Sequence, residues 1–129
     1  MTKQVDYALQ LIFALNKVKK GDVLSLKKFS TESTISFLFL QKIAKLLREA
    51  GVITAVKGPL GGYVLLKSLD MLTLREIVDA VDGPFGVAAC TRPGETCTQT
   101  HDCTVRPGIK KLQTQMMDIL NRTKLTDLL

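Results

Sequence analysis

The hydrophobic period of this chain changes at Gly51, and that change restricts the fold more than any other feature. Upstream of it, Phe39, Leu40, Ile43, Leu46 and Leu47 recur at three- and four-residue steps within Phe37 to Ala50, with Gln41, Lys42, Lys45 and Arg48 on the opposite face. Ser36 is placed to cap that helix and Gly51 to stop it. Downstream, Val52-Ile53-Thr54-Ala55-Val56 is β-branched and strand-like, Lys57-Gly58-Pro59-Leu60-Gly61-Gly62 reads as a turn, and Tyr63-Val64-Leu65-Leu66 returns as a second strand. A shorter helix comes before: Ser25 caps Leu26 to about Glu32, with Leu26 and Phe29 inward and Lys27 and Lys28 outward, and Ser33-Thr34-Ile35 forms the turn to the longer helix. Two helices joined by a tight turn and followed by a β-hairpin make a winged helix-turn-helix.

The flanking segments fit around that unit. Residues 5 to 18 read as a helix that is apolar around most of its circumference and so must be covered on several sides. Thr73-Leu74-Arg75-Glu76 supplies a capping box for a helix carrying Leu74, Ile77, Val78 and Val81, which ends at Gly83-Pro84. Near the C-terminus Pro107 opens a helix whose Ile109, Leu112, Met116 and Ile119 repeat at the seam spacing of a helix that pairs with another. The predicted fold is therefore mainly α with a small β-hairpin. Its predicted divisions are a winged helix-turn-helix over residues 1–83, a cysteine-containing loop over 84–104, and a long C-terminal helix and tail over 105–129.

Charge divides along the same line. Residues 1–69 carry eleven Lys and Arg against four Asp and Glu, a net of +7, whereas residues 70–129 carry seven against eight, a net of −1. A basic N-terminal half suits a polyanionic partner, with the duplex major groove read by Gln41 and Lys42 and the phosphates met by Lys45 and Arg48. Lys57 opens the hairpin turn and would reach the backbone or the minor groove, with Gly58, Gly61 and Gly62 predicted to permit tight, positive-φ backbone there. A phosphate-cradling loop is the weaker reading of these glycines, because they lead into a strand rather than a helix N-terminus.

Three cysteines, Cys90, Cys97 and Cys103, crowd into one short segment, and the rest of the 129 residues contains none. No export signal and no membrane-length apolar stretch is present, which predicts a cytoplasmic, reducing setting where thiols serve as ligands or reactive groups rather than as a disulfide framework. Thiolates are soft ligands for iron–sulfur clusters or zinc. Three readings of the segment follow: a cluster site, a metal-free redox sensor with thiolates activated by Arg92 or His101, and a structural zinc clip of three Cys and His101. An enzyme is disfavoured, since there is no Cys-x-x-Cys pair and only one histidine. A protein-interaction adaptor using the winged fold without DNA is the alternative from another class.

Taken together, Asp6-Tyr7-Ala8-Leu9, Ser36 with Phe39-Leu40-Gln41, Ala50-Gly51-Val52-Ile53, Lys57-Gly58-Pro59-Leu60-Gly61-Gly62-Tyr63, Leu74-Arg75-Glu76-Ile77 and the three-cysteine loop resemble the Rrf2 family of winged-helix repressors over about the whole chain. The resemblance implies a homodimer built on the C-terminal helix, a palindromic double-stranded DNA operator, and a cluster or other effector that sets DNA affinity. It also implies that Cys90, Cys97 and Cys103 are ligands of an iron–sulfur cluster, 2Fe–2S or 4Fe–4S, which oxygen can strip from the isolated protein. The intervals between the cysteines, with six and five intervening residues, make the loop one residue longer than the commonest family spacing. Arg106 stands three residues beyond Cys103, where some members carry a histidine ligand, so the fourth-ligand candidates are Asp6, which matches an acidic position supplied by the partner subunit, and His101 within the loop. Lys57 stands where the family more often shows Arg, which keeps phosphate attraction but weakens fork-like insertion.

Overall fold

The structure, a computed structural model, describes residues 2–59, 61–98 and 102–129. Helix α1 (Lys3–Asn16) begins ahead of its apolar stripe because the Thr2 hydroxyl accepts the Gln4 N–H at 3.2 Å. It stops at Asn16, where the Lys17 and Val18 N–H groups tighten onto Ala14 O and Leu15 O instead of continuing the helix to residue 18. Val5, Ala8, Leu11, Ile12 and Leu15 are buried, and Tyr7, Leu9 and Phe13 pack part-buried beside them, so the helix is covered on several sides as its composition requires.

Ser25 caps α2 (Leu26–Ser33) by accepting the Lys28 N–H at 3.3 Å. Thr34 then turns the chain with φ +63, a left-handed conformation that costs a β-branched residue about 1–2 kcal/mol. The strain is held by burial of Ile35 and by the Ser30 hydroxyl, which donates to Ile35 O at 2.5 Å. Asparagine tolerates this conformation better. Thr34→Asn, at an exposed position, should therefore raise stability by about 0.5–1 kcal/mol; a lowered melting temperature would show that the threonine side chain offsets its own strain.

Helix α3 (Phe37–Glu49) buries Leu40, Ile43, Ala44 and Leu47 and is capped by Ser36, whose hydroxyl accepts the Phe39 N–H at 3.4 Å. Gly51 ends it at φ +76 in a paired motif: its own N–H reaches Arg48 O and the Val52 N–H reaches Leu47 O, both at 3.0 Å. Val52 is thereby held by the helix end, and strand β1 is Ile53–Val56 rather than starting at Val52. It pairs antiparallel with β2 (Gly62–Leu65), with Ile53 opposite Leu65 and Val56 opposite Gly62.

Two features of this wing differ from the sequence reading. Leu24 forms a single β-bridge to the hairpin, exchanging backbone hydrogen bonds of 3.0 and 2.9 Å with Tyr63. Of the three wing glycines, Gly58 has positive φ at +139, but Gly61 and Gly62 do not. Proximity requires Gly62, where a Cβ would lie 2.5 Å from Leu24 O, and makes Gly61 a tight site, where a Cβ would lie 3.1 Å from both Gly58 O and Val56 O. The Leu24 bridge thus explains Gly62, a glycine that its own dihedral angles leave unexplained.

Helix α4 (Leu74–Asp82) carries the expected capping box, with Glu76 N–H donating to Thr73 Oγ1 at 3.2 Å and Thr73 N–H donating to Glu76 Oε2 at 2.8 Å. Helix α5 (Arg106–Arg122) has Pro107 in its first turn. Beyond it a 3-10 turn, Leu125–Leu128, folds back so that Leu74 N–H donates to Thr123 O at 2.8 Å and Leu125 N–H to Leu72 O at 2.9 Å. Leu120 and Leu125 enter the same core as the buried faces of α1, α3 and α4. The result is a mainly helical winged helix with a long C-terminal helix. No described helix is long and apolar enough to cross a membrane.

Candidate nucleic-acid interface and cysteine segment

On α3 the buried stripe fixes what faces out. With Leu40, Ile43, Ala44 and Leu47 against the core, Gln41, Lys42, Lys45 and Arg48 are all exposed. Ser36 is exposed at the head of the helix, with its hydroxyl engaged in the cap. Lys57 and Gly58 are exposed at the wing turn, as is Gly61, whereas Gly62 is half-buried under Leu24. A shallow groove of about 320 Å³ separates the two elements, lined by Ser25, Lys27, Phe37, Gln41, Gly62 and Tyr63. Of the sequence-predicted DNA-facing residues, the groove brings Gln41 of α3 together with Gly61 and Gly62 of the wing. Leu60, in the wing motif, lies outside the described residues.

The electrostatics of this side are set by what does not neutralise it. The ion pairs among the described residues join Lys67 to Glu76, Arg75 to Asp79, Arg92 to Glu95 and Arg122 to Asp118. Among the described residues none involves Lys27, Lys28, Lys42, Lys45, Arg48 or Lys57, so six cations of the basic half stand without an acidic partner. Unpaired cations repel one another and are held in place by the fold beneath them, an arrangement that favours a row of phosphates.

The cysteines occupy the connection between α4 and α5. Gly83 closes α4 at φ +81, a 3-10 turn at Ala89–Thr91 carries Cys90, and Cys103 lies just ahead of α5, its carbonyl accepting the Arg106 N–H at 3.4 Å. All three thiols are free and half-buried. The start of the segment is tied down tightly. The Gln113 side chain accepts the Val87 N–H at 2.8 Å and donates to Phe85 O at 3.1 Å, while Asp79 accepts the Phe85 N–H at 3.3 Å. Asp79 is also paired with Arg75, which reaches Asn121 on α5 at 3.2 Å. Residues 85 to 87 are thus held by α4 on one side and α5 on the other. Gly86 is needed there because a Cβ would lie 2.7 Å from the Arg92 Cβ. Nothing in the sequence marks Gln113 for this role, since its partners are backbone groups some 26 and 28 residues away.

Three thiols suit an iron–sulfur cluster by donor chemistry. Among the described residues, no three Cys, His, Asp or Glu side chains come together in a group that could hold a metal ion. Asp6 lies on the first turn of α1, accepting a hydrogen bond from Gln10 at 3.2 Å, and His101 is outside the described residues. Arg92, a candidate activator of the thiols, is committed to Glu95 at 3.2 Å. Among the described residues the three thiols are thus soft donors that are not gathered into one ligand group.

Comparison with known proteins agrees with the fold. The whole chain, residues 1–129, matches the Rrf2 family, described as iron-dependent transcriptional regulators. An rrf2-like HTH-type transcriptional regulator of Rhodobacter capsulatus is 28% identical over 137 residues, covering 100% of this chain and 91% of its own. The HTH-type transcriptional regulator IscR of Escherichia coli is 25% identical over 128 residues, covering 99% and 78%. The structure of CymR, the global cysteine regulator of B. subtilis, superposes with a TM-score of 0.76 at 25% identity, covering 99% of this chain and 94% of that one. These relatives are regulators rather than enzymes. With its winged helix and exposed basic face, the chain belongs to the Rrf2 family of DNA-binding transcriptional regulators.

Proposed function

We propose that this protein is a homodimeric, sequence-specific transcriptional regulator acting in the cytoplasm on a palindromic operator, with residues 90–103 as its effector segment. The observation that carries the reading is the unpaired basic surface: Lys42, Lys45 and Arg48 on α3 and Lys57 on the wing are exposed, and none forms an ion pair among the described residues. Residues 1–83 bind DNA in this reading and residues 105–129 form the dimer. Leu112 and Ile119 on α5 support the second role, being 41% and 61% exposed on a helix whose Leu120 is buried in its own core. Two-fold symmetry would then set the recognition helices roughly 34 Å apart, one helical turn of DNA.

The effector reading rests on the anchorage of the segment. Because residues 85–87 are gripped by Asp79 of α4 and Gln113 of α5, a chemical change at the cysteines would act on both helices, and so on the pose of the winged units. A coupling of about 1–3 kcal/mol, a change of roughly 5- to 150-fold in affinity, is typical of such a link. The family description and the three soft donors favour an iron–sulfur cluster held by Cys90, Cys97 and Cys103; the ungathered thiols favour a metal-free redox sensor. One experiment separates them. Iron and acid-labile sulfide are assayed on anaerobically purified protein and on Cys97→Ala, with duplex affinity measured on the same samples. Iron and sulfide present in the parent and lost in the variant, with altered DNA affinity, is the result expected for the cluster. Affinity that responds to a thiol oxidant in iron-free protein establishes the thiol sensor. Affinity indifferent to iron, oxidant and Cys97 removes the segment from regulation.

A further inference from the structure

The sequence pattern leaves Leu38 unexplained. It falls outside the apolar stripe of α3, is 77% exposed, and stands between Phe37 and Phe39, the latter turned inward to meet Tyr7 edge-on with ring centroids 5.5 Å apart. No packing role holds a leucine there. Its position does have a meaning on the helix: Leu38, Gln41, Lys42 and Lys45 stand at steps of three, four and seven residues and so share one face. Leu38 is the first of them, on the opening turn, and helical side chains lean toward the N-terminus.

From this placement, and resting on the DNA-binding role of α3, we infer that Leu38 is a specificity-determining residue that reads the 5-methyl group of a thymine in the major groove. The opening turn of a recognition helix is the part that meets base edges, and thymine alone of the four bases offers an apolar group there. The flanking cations select the occupant. A protein partner for an exposed leucine would present an apolar patch, whereas Lys42 and Lys45, exposed and free of ion pairs among the described residues, share the face of Leu38 and carry charge that complements phosphates. Gln41, one turn on, is suited to the adjacent base by bidentate contact with adenine, so a thymine–adenine pattern is expected in each half-site.

The test uses the full chain. Binding duplexes are selected from a randomised pool, and each thymine of the selected site is replaced by deoxyuridine, which removes only the methyl group. One thymine per half-site should show a loss of about fourfold in affinity on replacement, the worth of one buried methyl group. In Leu38→Ala, whose exposed site leaves folding undisturbed, that discrimination should vanish while the salt dependence of binding is unchanged. A thymine penalty that persists in Leu38→Ala, or selected sites in which no thymine methyl matters, overturns the inference. Failure to select or bind any duplex would instead overturn the DNA-binding reading itself, and the two failures are distinguishable on the same samples.

Discussion

Replacing Lys45, Arg48 and Lys57 together by alanine should flatten the salt dependence of duplex binding by about five logarithmic units per decade of salt in the proposed dimer. Each cation that neutralises a phosphate releases condensed counterions and contributes about 0.9 to that slope. In the proposed dimer, three residues on each of two protomers would make six contacts. At moderate salt the same arithmetic means a loss of several orders of magnitude in affinity, spread evenly over sequences, because phosphate contacts position the protein without reading bases. The fold should be indifferent: all three side chains are exposed, and none makes an ion pair among the described residues, so their removal strands no acidic partner. Binding measured across a salt titration, with melting temperature as the control, checks both halves of the expectation. A slope unchanged in the variant would move the DNA interface away from α3 and the wing; a parent protein with no salt-dependent duplex binding would favour the adaptor alternative.

The second large effect is expected far from DNA. Leu125→Ala should cost about 2–5 kcal/mol, the range for emptying a fully buried leucine site. Leu125 is 0% exposed and lies in a turn fastened to the chain ahead of α4 by the bonds from Leu74 N–H to Thr123 O and from Leu125 N–H to Leu72 O. Against a total stability on the order of 0.05–0.15 kcal/mol per residue, that loss is a large share. It should also free the end of α5, and with it the Arg75 to Asn121 contact that ties this helix to α4. Leu129→Ala is the matched control, since Leu129 is 78% exposed in the same stretch and its truncation should be nearly neutral. Urea unfolding of the two variants measures the contrast; equal stabilities would mean that the C-terminal turn does not belong to the cooperative core.

The residues that carry local structure were readable because their signals are local. Ser25, Ser36 and Thr73 cap the helices predicted for them, and Gly51 adopts the left-handed conformation predicted at the end of α3. Each of these acts within four residues of chain, where hydrogen-bond geometry and dihedral preference leave few choices. Strand limits slipped by one residue because Val52 has two suitors: its β-branched side chain favours the strand, but its N–H is taken by Leu47 O. Gly62 was assigned to a turn conformation when the cause is steric, an approach of Leu24 O that no spacing in the sequence announces.

The sequence by itself determined the helix-turn-helix and hairpin, the exposed basic side of α3 and the segregation of the three cysteines, since period, capping and charge are properties of neighbouring residues. Only the tertiary structure decided that Leu24 completes the wing, that Gln113 and Asp79 grip residues 85–87, that the tail returns through Leu125 to the core, and that the described thiol positions do not form a ready-made metal site. The physical reason is common to all four. They join groups far apart in the chain, and such contacts form only where the packed helices bring them together, at an entropic cost that no single residue reveals.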